Sequence, residues 1–148
     1  MAKHGVYIMQ HNLIKTTNLQ ADGKLANSHS VPLLIMFSQA DCPFCHTLTE
    51  EILEPMLISG DYTDRVLIRE LMIDDSKDLI DFSGKSIAPR AVFTRYLLFV
   101  TPSILLLDNQ GNELAERQIG INTVDYYGYY LDQAIDLALN KVRHHAQS

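Results

Sequence analysis

The sequence predicts an α/β fold, a central mixed β-sheet flanked by helices, and three features predict it. Three apolar-rich runs, "VPLLIMFSQ" (31–39), "DRVLIRELMID" (64–74) and "TPSILLLD" (101–108), have the length of buried strands. Between the first two, Leu48, Ile52 and Met56 recur at the four-residue spacing of one helix face. The stretch "TVDYYGYYLDQAIDLALNKVRHH" (123–145) has the pattern of a closing amphipathic helix. Strands alternating with helices in this way build an α/β sheet with helices on both faces.

Taken in order, "GVYIMQ" (5–10) reads as a first strand and "TTNLQADGKLANSHS" (16–30) as a polar, partly helical connection. The apolar run at 31–39 is a central strand that stops just before the cysteines. A helix then starts at Pro43, where the missing N–H costs nothing, with Asp41 or Cys42 near its N-cap. Glu50, Glu51 and Glu54 fall between these apolar positions, and Pro55 is expected to bend or end the helix. The run at 64–74 is a second buried strand, followed by "SKDLIDFSGKSIAPRAVFTRYLLF" (76–99) as a long helical connection. Pro102 opens the third strand, "NQGN" turns, and "ELAERQIG" (113–120) returns as a fourth strand in a hairpin. In the last helix the tyrosine cluster "DYYGYY" (125–130) divides at helical spacing into core and surface rings.

Length and charge limit the function. At 148 residues, 47% hydrophobic and 20% charged, the chain suits a single domain over 1–148. No internal repeat or linker divides it. A net charge of -6 without a Lys/Arg run gives no electrostatic reason to expect nucleic acid or an anionic membrane surface as partner. No stretch reaches the eighteen or so apolar residues of a membrane span, and the N-terminus lacks an apolar signal core. A monomer is expected.

Both cysteines lie in "DCPFCH" (41–46), and this motif has three chemical readings. C-x-x-C-H attaches a c-type haem, with His46 as an axial ligand and a distal Met or His required. Met56 and Met72 sit at packing positions of a helix and a strand, and the motif follows a buried strand rather than a haem-wrapping loop. Structural zinc needs four ligands, and with no second Cys pair a site would have to be completed by histidines such as His29, His46, His144 and His145. The third reading is a redox dithiol. It needs a nucleophilic thiolate, a second sulfur one turn away and a device that lowers the first thiol's pKa, and a C-x-x-C at a helix start supplies all three. Cys42 is then the nucleophile, and Cys45, one turn into the helix, resolves the mixed disulfide.

The apolar strand, "DCPFCH" opening a helix and "TPSILLLDNQGNEL" more than fifty residues later together resemble the thioredoxin fold over about residues 31–140. The chain adds an N-terminal extension and a longer connection before the proline strand. The phrase "FSQADCPFCHTLTEEILEP", the "DFSG" connection and the Thr101-Pro102 pair are most similar to SoxW-like exported thioredoxins. The resemblance implies a cis-proline at Pro102 facing the dithiol, with Thr101 offering backbone hydrogen bonds to an extended substrate. Pro43 and Phe44 complete the substrate-facing surface. It implies no organic cofactor and no metal, since the cysteines carry the electrons, and as partners protein disulfide or dithiol substrates and a redox donor protein. An exported, periplasmic location follows from the same likeness, with a cytoplasmic one as the alternative.

The chain departs from that pattern at several points. Where thioredoxin has a buried Asp six residues before the first cysteine, this chain has Met36. Glu70 falls near thioredoxin's neighbouring Lys and is the candidate replacement base, against the plainer reading of a solvated carboxylate. Pro43-Phe44 differs from thioredoxin's Gly-Pro, and without a His at 44 nothing there favours an oxidising poise. Asp41, in place of a Trp, is an anion expected to disfavour the Cys42 thiolate, whereas His46, when protonated, would favour it. The expected activity is reduction of protein disulfides. Oxidation or isomerisation of disulfides, and a non-catalytic binding or assembly module, are the alternatives.

Overall fold

A computed structural model describes residues 13–121 and 124–147; the strand expected at 5–10 lies outside the described residues. Helix α1 (Leu19–Ser28) forms where Asn18 caps it, its side chain accepting the Ala21 N–H at 2.9 Å. Strand β1 (Leu33–Ser38) is buried on both faces along its whole length. Helix α2 (Pro43–Leu48) begins directly after Cys42, passes into a π-helical turn (Thr49–Leu53) and continues as α3 (Glu54–Ser59).

Pro55 was expected to bend or end this helix, and it does not end it: the helix runs on to Ser59. The wide turn shifts the pattern so that the Glu54 N–H reaches back to the Thr49 carbonyl, and Pro55 falls in the first turn of α3, where no N–H is required. The helix ends at Gly60, whose φ of 77° is the left-handed conformation that glycine adopts without cost.

Strand β2 (Leu67–Met72) pairs parallel to β1, and β5 (Ser103–Leu107) pairs antiparallel to it on the other side. With β6 (Gln118–Ile119) beside β5, the sheet order is β2-β1-β5-β6, mixed in direction as expected. The long helical connection predicted for 76–99 is corrected by the structure. Its first part is a small hairpin, β3 (Leu79–Ile80) against β4 (Ser86–Ile87), and only Pro89–Arg95 is helix, α4. The buried Asp81 makes the turn: its carboxylate accepts the Ser83 N–H and hydroxyl and the Lys85 N–H. These bonds hold the Asp81 carboxyl well below its ordinary range, the Ser83 hydroxyl first among the causes. The fourth strand is also shorter than expected. After a single bridge between Leu107 and Glu113, ladder pairing returns only at β6 (Gln118–Ile119), and the Arg117 side chain between them bonds Glu113 and the Tyr96 carbonyl.

Alternation along the strands divides the core. Leu33, Ile35 and Phe37 face α1 and α4 through Leu19, Ala26, Val92 and Phe93. Leu34 and Met36 face the α2–α3 helix and the final helix, α5 (Val124–Gln147), through Leu48, Leu53, Tyr127 and Leu131. The tyrosines divide as expected, Tyr127 buried and Tyr126, Tyr129 and Tyr130 exposed.

Candidate active site

The site lies at the C-terminal end of β1, where the chain leaves the sheet and turns back as a helix. Cys42 is the helix N-cap, with extended φ and ψ of -143° and 94°, and its Sγ accepts the Cys45 N–H at 3.2 Å. The same N–H groups that favour a helix start therefore point at the first sulfur, where negative charge on a thiolate is stabilised. Cys42 and Cys45 are joined as a disulfide with Cα atoms 5.2 Å apart, within the ordinary range for such bonds. Cys45 is the more buried of the two, at 3% exposure against 6%.

The loop before β5 closes over the first sulfur. The Thr101–Pro102 peptide bond is cis, the Thr101 carbonyl oxygen lies 3.7 Å from Cys42 Sγ, and the Thr101 hydroxyl lies 3.6 Å from it. Chain folding thus brings together residues fifty-nine positions apart. The Thr101 hydroxyl also donates to Gln39 Oε1 at 3.0 Å, a contact that sequence reasoning missed, since a lone Gln after a strand carries no signal. Behind the loop, the Ser103 hydroxyl donates to the Val100 carbonyl at 2.6 Å, and the Gly120 N–H to the Pro102 carbonyl at 2.7 Å.

The remaining sequence candidates fall around this centre. Pro43 and Phe44 are exposed, and the Phe44 ring stands out at 62% exposure beside the dithiol. Asp41 is exposed. His46 is exposed with its Nε2 3.2 Å from the Ala40 carbonyl, so its ring braces the loop before Cys42.

Glu70 is not a freely solvated strand-edge carboxylate. It is half-buried in β2 in register with Met36, and segment 14–16 bonds its backbone on the outer side, Glu70 N–H to Ile14 and Thr16 N–H to Glu70. Its Oε2 accepts the hydroxyl of Ser38 at 2.7 Å. Ser38 is 1% exposed, and Met72 Sδ lies 2.9 Å from the same hydroxyl. The only sequence signal for Ser38 is a polar residue ending an otherwise apolar run.

Ser38 lies four residues before Cys42, and the helix that Cys42 starts runs back over the same face of β1, where Thr49 Oγ1 reaches Met36 Sδ at 3.9 Å. Among the described residues no group of three or more His, Cys, Asp or Glu is placed to hold a metal ion, and no helix is long and apolar enough to cross a membrane.

Comparison with known proteins agrees with this geometry. A family model described as a thioredoxin-like domain matches residues 19–135. No curated protein is significantly similar in sequence. Among solved structures, oxidised thioredoxin O2 from Arabidopsis thaliana is 18% identical with a TM-score of 0.55, covering 82% of this chain and 93% of its own. Oxidised mitochondrial thioredoxin 3 from Saccharomyces cerevisiae is 19% identical with a TM-score of 0.55, covering 84% and 93%. A DsbH oxidoreductase superposes with a TM-score of 0.62 at 14% identity, covering 87% and 89%. At these identities the likeness shows the fold.

Proposed function

The chain belongs to the thioredoxin-like domain family and is a thiol-disulfide oxidoreductase, and from that premise we propose that it reduces disulfides of protein substrates. The observation that supports this reading best is the Cys42 sulfur at a helix N-cap, 3.7 Å from the Thr101 carbonyl, the edge at which this reading seats an extended substrate strand. In the reduced protein the Cys42 thiolate attacks one sulfur of a substrate disulfide. A Cys42–substrate disulfide forms, and the departing sulfur takes up a proton as a thiol. Cys45 then loses its proton and attacks Cys42 Sγ, which breaks the mixed disulfide and releases the second substrate thiol. Two electrons have passed to the substrate, and a donor dithiol protein restores the reduced state.

Cys45 can attack only as thiolate, and an apolar environment opposes its ionisation. We assign the proton acceptor to Glu70, acting through the Ser38 hydroxyl. Ser38 is buried four residues before Cys42 and already donates to Glu70, so a proton entering at Ser38 Oγ leaves along the existing bond to Oε2. Thr101 and Pro102 position the substrate backbone, while Pro43 and Phe44 face it. Reduction rather than oxidation is favoured because Phe44 places no cation between the cysteines. The exported location belongs to the same proposal, and fractionation of cells making the tagged chain tests it.

Turnover of insulin by a chemical reductant with catalytic protein tests the function. The unmodified chain is expected to accelerate insulin reduction and Cys42→Ser to abolish the acceleration. No acceleration by the unmodified chain would point to a binding module instead.

A further inference from the structure

The loop that leads into Thr101 carries an outlier that the redox chemistry leaves unexplained. Helix α4 ends in a Schellman motif: the Leu97 N–H bonds the Thr94 carbonyl at 2.8 Å, and the Leu98 N–H bonds the Phe93 carbonyl at 3.1 Å. The residue between cap and loop must be left-handed, and here it is Leu97, at φ 61°. Glycine is the usual occupant, since a side chain there meets its own backbone. Burial does not compensate for the strain, because Leu97 is 80% exposed. Leu98 turns into the core at 6% exposure against Phe93, and Phe99 turns out again at 84%.

Two large apolar side chains are thus held in solvent on either side of a buried anchor. A chain extends at most about 3.6 Å per residue, so Phe99 and Leu97 lie within about 7 and 14 Å of Thr101, which itself touches Cys42. Phe44, 62% exposed, rises beside the same sulfur from the other segment. Residues 96–102, "YLLFVTP", carry no charge. The mixed disulfide forces any protein substrate to lie over Cys42, and this uncharged strip leads along the chain into Thr101 at the edge of the surface the substrate must cover.

We propose that Leu97 and Phe99, with Phe44, form a docking lip that selects substrate segments bearing a large apolar side chain next to the reactive cysteine. The inference rests on the reductase reading and adds a substrate class to it. The lip contributes by burying the partner's side chain, not by charge. A backbone conformation costly for leucine is retained because its side chain is presented to the partner.

Two disulfide-bridged peptides, identical except for Phe or Ser beside the cysteine, test this as substrates of the reduced protein. The unmodified chain is expected to prefer the Phe peptide in kcat/KM by about tenfold, the scale of one buried interface aromatic, and Phe99→Ala to bring the ratio close to one. Leu97→Gly is expected to lower the same ratio while its thermal midpoint stays at or above that of the unmodified chain, since glycine relieves the left-handed residue. Equal rates on both peptides, or a ratio unmoved by either substitution, would overturn the lip alone. A midpoint several degrees lower for Leu97→Gly would show that Leu97 is kept for packing and would also overturn it. Failure of the unmodified chain to reduce either peptide would overturn the reductase reading and the lip with it.

Discussion

Replacing Glu70 by Gln is expected to slow the resolving step specifically. The amide oxygen of Gln can still accept the Ser38 hydroxyl, so the contact now 2.7 Å long is retained, while the base is lost. Because Glu70 is only half-buried, the exchange should leave the fold intact. A well-placed general base contributes about 10²- to 10⁴-fold, and one acting through an intervening hydroxyl near solvent falls at the low end, about 10²-fold. The assay is rapid mixing of the reduced protein with dithiobis-nitrobenzoate, which releases one chromophore as Cys42 attacks and a second as Cys45 resolves. Glu70→Gln should leave the first phase unchanged and slow the second at neutral pH. The difference should narrow as pH rises, where hydroxide takes the proton that the missing carboxylate no longer accepts. Ser38→Ala should act in the same direction, since it removes the link between Cys45 and the carboxylate. A second phase within twofold of the unmodified rate at neutral pH, or a slowing that persists at high pH, would refute the relay.

Other consequences follow from the packing behind the site. Gly111 has φ 85°, and an added Cβ would fall 2.7 Å from Phe82 Cδ2 and 2.8 Å from Tyr96 Oη. Left-handed strain and displaced rings together put the cost of Gly111→Ala at about 2 kcal/mol, a fall of about 6 °C in Tm by thermal melting, and a fall under about 1 °C would count against this. The Tyr96 phenol, pushed up to about 12 by burial, donates to the Gly111 carbonyl at 2.6 Å, so Tyr96→Phe should destabilise the chain equally at pH 6 and pH 9 in about the same measure, checked by denaturant unfolding. Asp81 has a lowered pKa in the folded chain, so its ionised form stabilises the hairpin above the unfolded value of 3.8, and that contribution fades as pH falls below it. The stability gap between the unmodified chain and Asp81→Asn should accordingly narrow in acid, and a gap independent of pH would contradict the assignment.

Much of the site was legible because it depends on local patterns with one physical solution. The continuous apolar run at Leu33–Ser38 has no exposed face to offer and so becomes the central strand. Pro43 after Cys42 marks the helix start, and Pro102 after Thr101 marks the loop that meets it. What escaped depended on contacts between distant residues. The hairpin at Leu79–Ile87 is organised by one buried carboxylate, and "SKDLIDFSG" reads as amphipathic helix until the bonds from Ser83 and Lys85 to Asp81 are seen. The π-helical turn that lets the helix pass Pro55 has no sequence mark of its own. Ser38 gains meaning only through the parallel register that brings β2 and Glu70 alongside. Leu97 is an ordinary leucine in sequence, and only its positive φ and exposure set it apart.

The measurement that tests the central claim most directly is the reduction potential of the Cys42–Cys45 pair, from equilibration in glutathione buffers and trapping of free thiols. The reductase account expects a single two-electron transition near the thioredoxin value of about -270 mV, and a transition at about -120 to -180 mV, or none at all, would contradict it.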